Sequence, residues 1–220
     1  CLDFHNLAVH LSSKEGGERK VLAIDYRGRG YSQYDKNWQN YTIFQEAEDT
    51  IAAITASGFK HVDVIGTSRG GLIAMLLGSM RPGILNSVIL NDIGPVLEGQ
   101  GLLRIRNSLE KRKKPKTWQE AEEEFVRVGK LQFPMLTEAQ WQEEAHRVFE
   151  EKDGKIIPRY DKKLVNTLMS INFDVRLPDM WAQFASLTNI PVMTLRGEHS
   201  DLLSTETLEM MQALHPNMKV

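Results

Sequence analysis

Cysteine is almost absent from this 220-residue sequence: Cys1 is the single example. That excludes an internal disulfide framework and a cysteine-based zinc cluster, and it favours a reducing, cytoplasmic compartment. Long apolar runs are missing too. A membrane span needs roughly 18 to 20 such residues, and the best stretch, "GLIAMLLGSM", is about half that length and reads as a buried helix. No charge excess exists either, since 27 Lys and Arg face 29 Asp and Glu for a net charge of −2. Neither nucleic acid nor a membrane surface is therefore an expected partner. The chain opens abruptly on "CLDFHNLAVHL", without an initiator methionine or a recognisable signal peptide, so any targeting segment lies outside the sequence. Phosphate-cradling motifs are also lacking. There is no G-x-x-x-x-G-K-[ST], and Gly28 and Gly30 do not extend to G-x-G-x-x-G because Gln33 stands at the third position.

What remains is an ordinary globular composition, 41% hydrophobic and 25% charged, long enough for one substantial core. Asp3 is a plausible N-cap for a helix over residues 3 to 13, with Phe4, Leu7 and Leu11 on one face. "KVLAID" reads as a short buried strand and "YRGRGYS" as a glycine-punctuated loop. A helix with Phe44, Ala47, Ile51 and Ile54 as its inner stripe then stops at Gly58. The strand "HVDVIG", the helix "RGGLIAMLLGSM" and the strand "SVILND" follow. This alternation predicts a mostly parallel sheet with helices on its faces, an α/β fold.

From Val96 the character changes. Residues 97 to 180 read as short, charged helices separated by Pro115, Pro134, Pro158 and Pro178, with aromatics at Trp118, Phe125, Phe133 and Trp141. The α/β pattern resumes with the strand "PVMTLRG", a helix from Thr205 to Leu214 and a last strand beginning at "MKV". The expected organisation is a core of residues 1–96 and 181–220 interrupted by a helical lid over 97–180. The lid aromatics fit an acyl pocket or lid packing equally. The run Lys111, Arg112, Lys113, Lys114 and Lys116 reads as a solvated helix end or as a docking strip for an acidic partner.

The chemistry concentrates in "VIGTSRGGLIAM", where Gly66-Thr67-Ser68-Arg69-Gly70 fits G-x-S-x-G between a strand and a helix. A serine in such a strained turn points its hydroxyl out of the sheet edge. Side chains two positions either side would collide with their surroundings, hence the glycines. The backbone N–H of Arg69, at the positive end of the helix, suits an oxyanion. Its side chain is free either to meet an anionic substrate or to point into solvent.

"AIDYRGRGYS", "VIGTSRGG", "VILNDIGP" and "PVMTLRGEHSD", in that order, resemble the α/β-hydrolase superfamily, and its capped branch of esterases, haloperoxidase-like enzymes and carbon–carbon bond hydrolases in particular. The resemblance spans the whole chain. It implies an α/β-hydrolase fold with a cap after the strand that follows the nucleophile helix, and a Ser, Asp, His triad in chain order. Ser68 matches the nucleophile and Asp201 the acid that orients the imidazole, with Asp92 as a rival acid or a residue shaping the crevice floor. Asp201 also has a plainer reading, as a carboxylate near a helix start at Ser204 and Thr205.

The family's histidine follows its last strand, and here the chain ends at Val220. His5, His10, His61, His146 and His215 lie in the wrong places, and His199 shares a loop with Asp201, so the base is expected just after Val220. Cys1-Leu2 resembles the end of the family's third strand, yet the helix starts at Asp3. A missing oxyanion loop, and residues skipped between Leu2 and Asp3, are therefore expected.

The implied activity is a serine hydrolase that cleaves an ester, lactone or related small carbonyl compound through an acyl-enzyme, with the substrate under the cap. No metal or organic cofactor is implied. Hydrolysis of a carbon–carbon bond in a dienoic keto acid, and ligand binding by an inactive hydrolase fold, are the alternatives.

Overall fold

Three strands run side by side in the order β1 (Val62–Thr67), β2 (Leu85–Asn91), β5 (Val192–Leu195), all parallel. This is the computed structural model of the chain, and it describes residues 2–110, 114–130 and 133–220. The chain divides into two compact units, one of Cys1–Trp38 with Ser108–Asn166, the other of Gln39–Asn107 with Thr167–Val220.

The second unit holds the sheet. Helix α2 (Ile43–Ala56) starts where the Thr42 side chain accepts the Gln45 N–H at 3.2 Å, an N-cap bond, and ends before Gly58, whose φ of 75° suits a residue without Cβ. Helix α3 (Arg69–Met80) is apolar on nearly every side, and it is accordingly buried from Gly71 to Leu77. Helices α4 (Gly99–Glu110), α7 (Val165–Met169), α8 (Trp181–Ala185) and α9 (Thr205–Leu214) follow, the last capped by Ser204. Ile73, Met75, Leu76, Leu77, Leu90 and Phe184 are almost wholly excluded from water and form the core between sheet and helices. The expected last strand begins as a parallel bridge from Met193 to Lys219, with the Thr194 N–H donating to the Lys219 carbonyl at 2.8 Å.

The first unit contains α1 (His5–Ser12), α5 (Trp118–Gly129), α6 (Glu138–Val148) and the antiparallel hairpin β3 (Phe149–Lys152) and β4 (Lys155–Pro158). A capping box opens α6, with the Thr137 hydroxyl and the Gln140 side chain each bonded to the other's backbone N–H. Asp153 and Gly154 turn the hairpin at φ 51° and 67°, the paired positive values of a two-residue turn. Ala121, Ala145 and Phe149 form a small core with Trp118, Phe125, Val148 and Ile156 packed on it. Trp118 also stacks on His146 at 3.7 Å, and Trp141 is buried. Of the two roles left open for the aromatics, packing within their own unit is the one seen for Trp118, Phe125 and Trp141. Phe133 is exposed.

Four local expectations need correction. "KVLAID" forms no strand among the described residues: Val21 and Leu22 are exposed, and no neighbouring backbone pairs with them. An apolar run becomes a strand only where a partner satisfies its N–H and C=O groups. Leu2 belongs to a 3₁₀ turn, Leu2–Phe4, that leads directly into α1, and not to the end of a strand. Phe44 lies outside the inner stripe of α2 and is exposed, while Glu46, Ala47, Thr50 and Ile54 face inward. The stretch 97–180, expected to be helical, includes the β3–β4 hairpin. In the basic run, Lys111, Arg112 and Lys113 lie outside the described residues, whereas Lys114 and Lys116 are exposed.

Candidate active site

Ser68 stands between β1 and α3 with φ 49° and ψ −116°, a backbone state that costs a residue with a Cβ of order 1–3 kcal/mol. Neighbouring groups fix it there. Its N–H donates to the Asn91 carbonyl on β2 at 3.0 Å, and its own carbonyl accepts from Gly71 and Leu72 at 2.8 and 3.3 Å. A serine at a helix N-cap ordinarily folds its hydroxyl back onto the helix, but the Ser68 hydroxyl makes no capping bond. The side chain is half-buried at the carboxyl end of the sheet.

The first glycine of the motif, and Gly71 just past its last, are explained by distance. A Cβ on Gly66 would lie 2.5 Å from the Gly70 carbonyl oxygen and 2.7 Å from the Gly71 nitrogen, so the collision is with the first turn of α3. One on Gly71 would lie 2.3 Å from a methyl of Ile93. Strand and helix therefore approach more closely than any side chain permits, and the turn between them is forced.

Arg69 is the first residue of α3, where a backbone N–H has no acceptor within the helix. Its side chain takes neither of the expected roles. The guanidinium Nε donates to Glu46 Oε2 at 2.6 Å and Nη2 to the Tyr41 carbonyl at 2.9 Å, with the Glu46 carboxylate wholly buried. Burial of that carboxylate on the inner stripe of α2 requires a cation, and Arg69 supplies it. The side chain thus anchors the elbow rather than reaching for substrate or solvent.

Two carboxylates follow the next two strands of the same parallel sheet, Asp92 after β2 and Asp201 on the loop after β5. Asp92 follows β2 directly. It has a positive φ of 56°, its N–H donates to the Leu195 carbonyl at 2.8 Å, and its Oδ1 accepts the Gly197 N–H at 3.0 Å. It ties the end of β2 to the end of β5. Asp201 sits on the loop after β5, and Ser204, not Asp201, caps α9. Both Asp201 oxygens are engaged by Arg104 of α4, Nε to Oδ2 at 2.6 Å and Nη2 to Oδ1 at 2.8 Å. Hydrogen bonding from the Arg104 guanidinium holds the Asp201 carboxyl below the usual carboxylate range, against a smaller upward push from burial, and it raises Arg104 in turn.

The histidines fall as follows. His215 is buried with Nε2 2.9 Å from the Ile190 carbonyl, His61 lies 2.8 Å from the Gly83 carbonyl, and His146 is stacked on Trp118. His5, His10 and His199 are exposed. The first three are occupied by structural contacts, which leaves His199 as the one on the Asp201 loop.

The sequence reading missed two residues, Glu46 and Arg104. Glu46 left a trace, a carboxylate at an inward position one residue before Ala47. Arg104 left none, because its partner is 97 residues away.

A parallel sheet carrying a strand–serine–helix elbow, with acidic residues at the ends of the next two strands, is the arrangement of one large enzyme class. The chain belongs to the α/β hydrolase fold family, whose model matches residues 2–217. Among its relatives is the 3-hydroxybutyrate-oligomer hydrolase of Cupriavidus necator, 28% identical over 96% of this chain and 72% of the relative. The crystal structure of an α/β hydrolase from Novosphingobium aromaticivorans superimposes with a TM-score of 0.87 at 33% identity, over 99% of this chain and 75% of that one. E-2-(acetamidomethylene)succinate hydrolase superimposes with a TM-score of 0.79 at 22% identity, over 100% of this chain and 76% of that one, which is a likeness of fold alone. Membership of the family and the first two of these relatives support hydrolase activity. No helix among the described residues is long and apolar enough to cross a membrane.

Proposed function

We propose that the protein is a serine hydrolase acting on a small ester, with Ser68 as nucleophile, Asp201 as acid and the Arg69 N–H as one oxyanion donor. The reading requires a histidine base, expected after the last strand, and residues 97–180 serve as the lid. The observation that carries the reading is the state of Ser68: a strained backbone whose hydroxyl is not used in capping its own helix. Strain of this kind persists where the surrounding structure imposes it, and it frees the hydroxyl for chemistry. In the reaction, the Ser68 oxygen attacks the ester carbonyl as histidine takes its proton. The tetrahedral oxyanion rests on backbone N–H groups, and the imidazolium returns the proton to the leaving alcohol. Water, deprotonated by the same histidine, then cleaves the acyl-enzyme to release the acid and restore Ser68.

The Cupriavidus necator relative is named for oligomers of 3-hydroxybutyrate, which are joined by ester bonds. We extend that chemistry to this chain as its substrate class, short hydroxyacid oligoesters. The test is hydrolysis of the 3-hydroxybutyrate dimer by wild-type protein and Ser68→Ala. Turnover by the wild type and a fall in kcat of about 10³-fold or more in the variant supports the reading. Equal rates contradict it. Binding of the dimer without turnover by either favours a ligand-binding role instead.

One observation favours a second assignment of the acid. Arg104 already occupies both Asp201 oxygens, while Asp92 is strained and has only one oxygen engaged by the Gly197 N–H. Asp92 is the acid in that assignment, and a comparison of Asp92→Asn with Asp201→Asn decides between them.

A further inference from the structure

Asp201 is held in two separable ways. Its loop is built without Arg104: the Arg196 guanidinium donates to the carbonyls of Leu203, Gly197 and Ser200, and the Ser200 hydroxyl accepts the N–H groups of Leu202 and Leu203. Helix α4 then approaches so closely that a Cβ on Gly101 would lie 2.4 Å from the Asp201 carbonyl oxygen. Gly101 and Arg104 are three apart and so share one helix face. That contact sets the guanidinium fork over the carboxylate, with bonds of 2.6 and 2.8 Å. None of those loop bonds involves Arg104, whose bonds to this loop go to the Asp201 carboxyl group.

Resting on the assignment of Asp201 as the acid, we infer that Arg104 is a positioning residue, which fixes the plane and charge of the Asp201 carboxylate for its imidazole partner. A carboxylate offers about four lone-pair sites. The fork takes one on each oxygen, and those that remain accept the imidazole N–H. Both side chains are partly open, with relative exposures of 37% for Arg104 and 34% for Asp201, so the carboxylate stays reachable. A planar fork fixes the plane of a carboxylate, whereas the point charge of lysine does not.

The chemistry separates charge from orientation. Loss of the cation raises the pKa of both carboxylate and imidazole, which moves the acid limb of the kcat profile to higher pH. Loss of the fork alone frees the carboxylate to rotate and lowers kcat, since small misplacements are costly. The test measures kcat and KM against pH with p-nitrophenyl butyrate for the wild type, Arg104→Gln, Arg104→Lys, Asp201→Asn and Asp92→Asn. Arg104→Gln is expected to lower kcat roughly 10- to 100-fold at unchanged KM and to shift the acid limb upward. Arg104→Lys is expected to keep the acid limb near its wild-type position while recovering little of kcat. A purely structural Arg104 would change stability and leave the acid limb in place.

If Arg104→Gln is folded, with kcat and acid limb of the wild type, while Asp201→Asn is inactive, the inference fails and the acid assignment stands. If Asp201→Asn retains wild-type kcat and Asp92→Asn does not, the acid assignment fails and the inference falls with it. Should Arg104→Gln not fold, Arg104→Lys decides: wild-type kcat in that variant overturns the need for a fork.

Discussion

Arg69 and Asp201 each illustrate how one side chain's partner determines its use. Arg69 looks available in the sequence, yet the buried Glu46 carboxylate claims its guanidinium. Removing that partner leaves a half-buried cation short of its anion. Glu46→Ala is expected to cost about 2–4 kcal/mol, read as a lower urea midpoint at unchanged slope. Asp201 gives a pH prediction. Its folded pKa lies below the ordinary value, so the ion pair contributes stability above the unfolded carboxylate pKa and loses it as pH falls through the folded one. With both side chains over a third exposed, that contribution is about 1 kcal/mol at most. The stability difference between wild type and Asp201→Asn is therefore expected at neutral pH and to shrink towards zero as the pH falls through the lowered folded value. A difference that grows on acidification contradicts the assignment.

At the scale of elements, the strand–turn–helix around Ser68 was the most legible part of the sequence. A β-branched run, two flanking glycines and an all-apolar helix agree on one answer, and β1, α3 and β2 appear close to the expected positions. Gly66→Ala tests the reason. With 2.5 Å to the Gly70 oxygen, the added methyl must push α3 away from β1, and a loss of about 1–3 kcal/mol is expected in thermal or urea unfolding. A neutral outcome shows that the close approach is not what demands glycine. Elements that depend on distant partners were harder to read. "KVLAID" has the composition of a strand, but pairing is supplied from elsewhere in the chain, and its own residues cannot reveal whether a strand stands beside it. The hairpin at Asp153-Gly154 was different: the sequence carries the dipeptide of a two-residue turn there, and the sequence reading passed over it. Phe44 was misread because the buried stripe of α2 includes a carboxylate, Glu46, whose partner Arg69 lies 23 residues away.

For the whole molecule, the order of four short motifs carried the fold, and membership of the α/β hydrolase family follows from a match over residues 2–217. The site was legible only in part. Ser68 was legible from its own strand–serine–helix motif, and Asp92 and Asp201 from the family resemblance, which implies an acid on the loop after a late strand. Arg104 was not, since its role depends on where α4 passes the loop after β5. Substrate preference is also a property of the whole protein. The oligoester proposal predicts that the 3-hydroxybutyrate dimer is turned over with a higher kcat/KM than a simple acetate ester of similar size. The reverse ranking in a direct competition assay contradicts it.

The central claim is that Ser68 is an activated nucleophile. It is tested most directly by intact mass spectrometry of the protein before and after a fluorophosphonate probe, with Ser68→Ala alongside. A single covalent adduct in the wild type and none in the variant is the predicted result. A wild-type protein that gains no mass, or a variant that gains the same mass, contradicts the account.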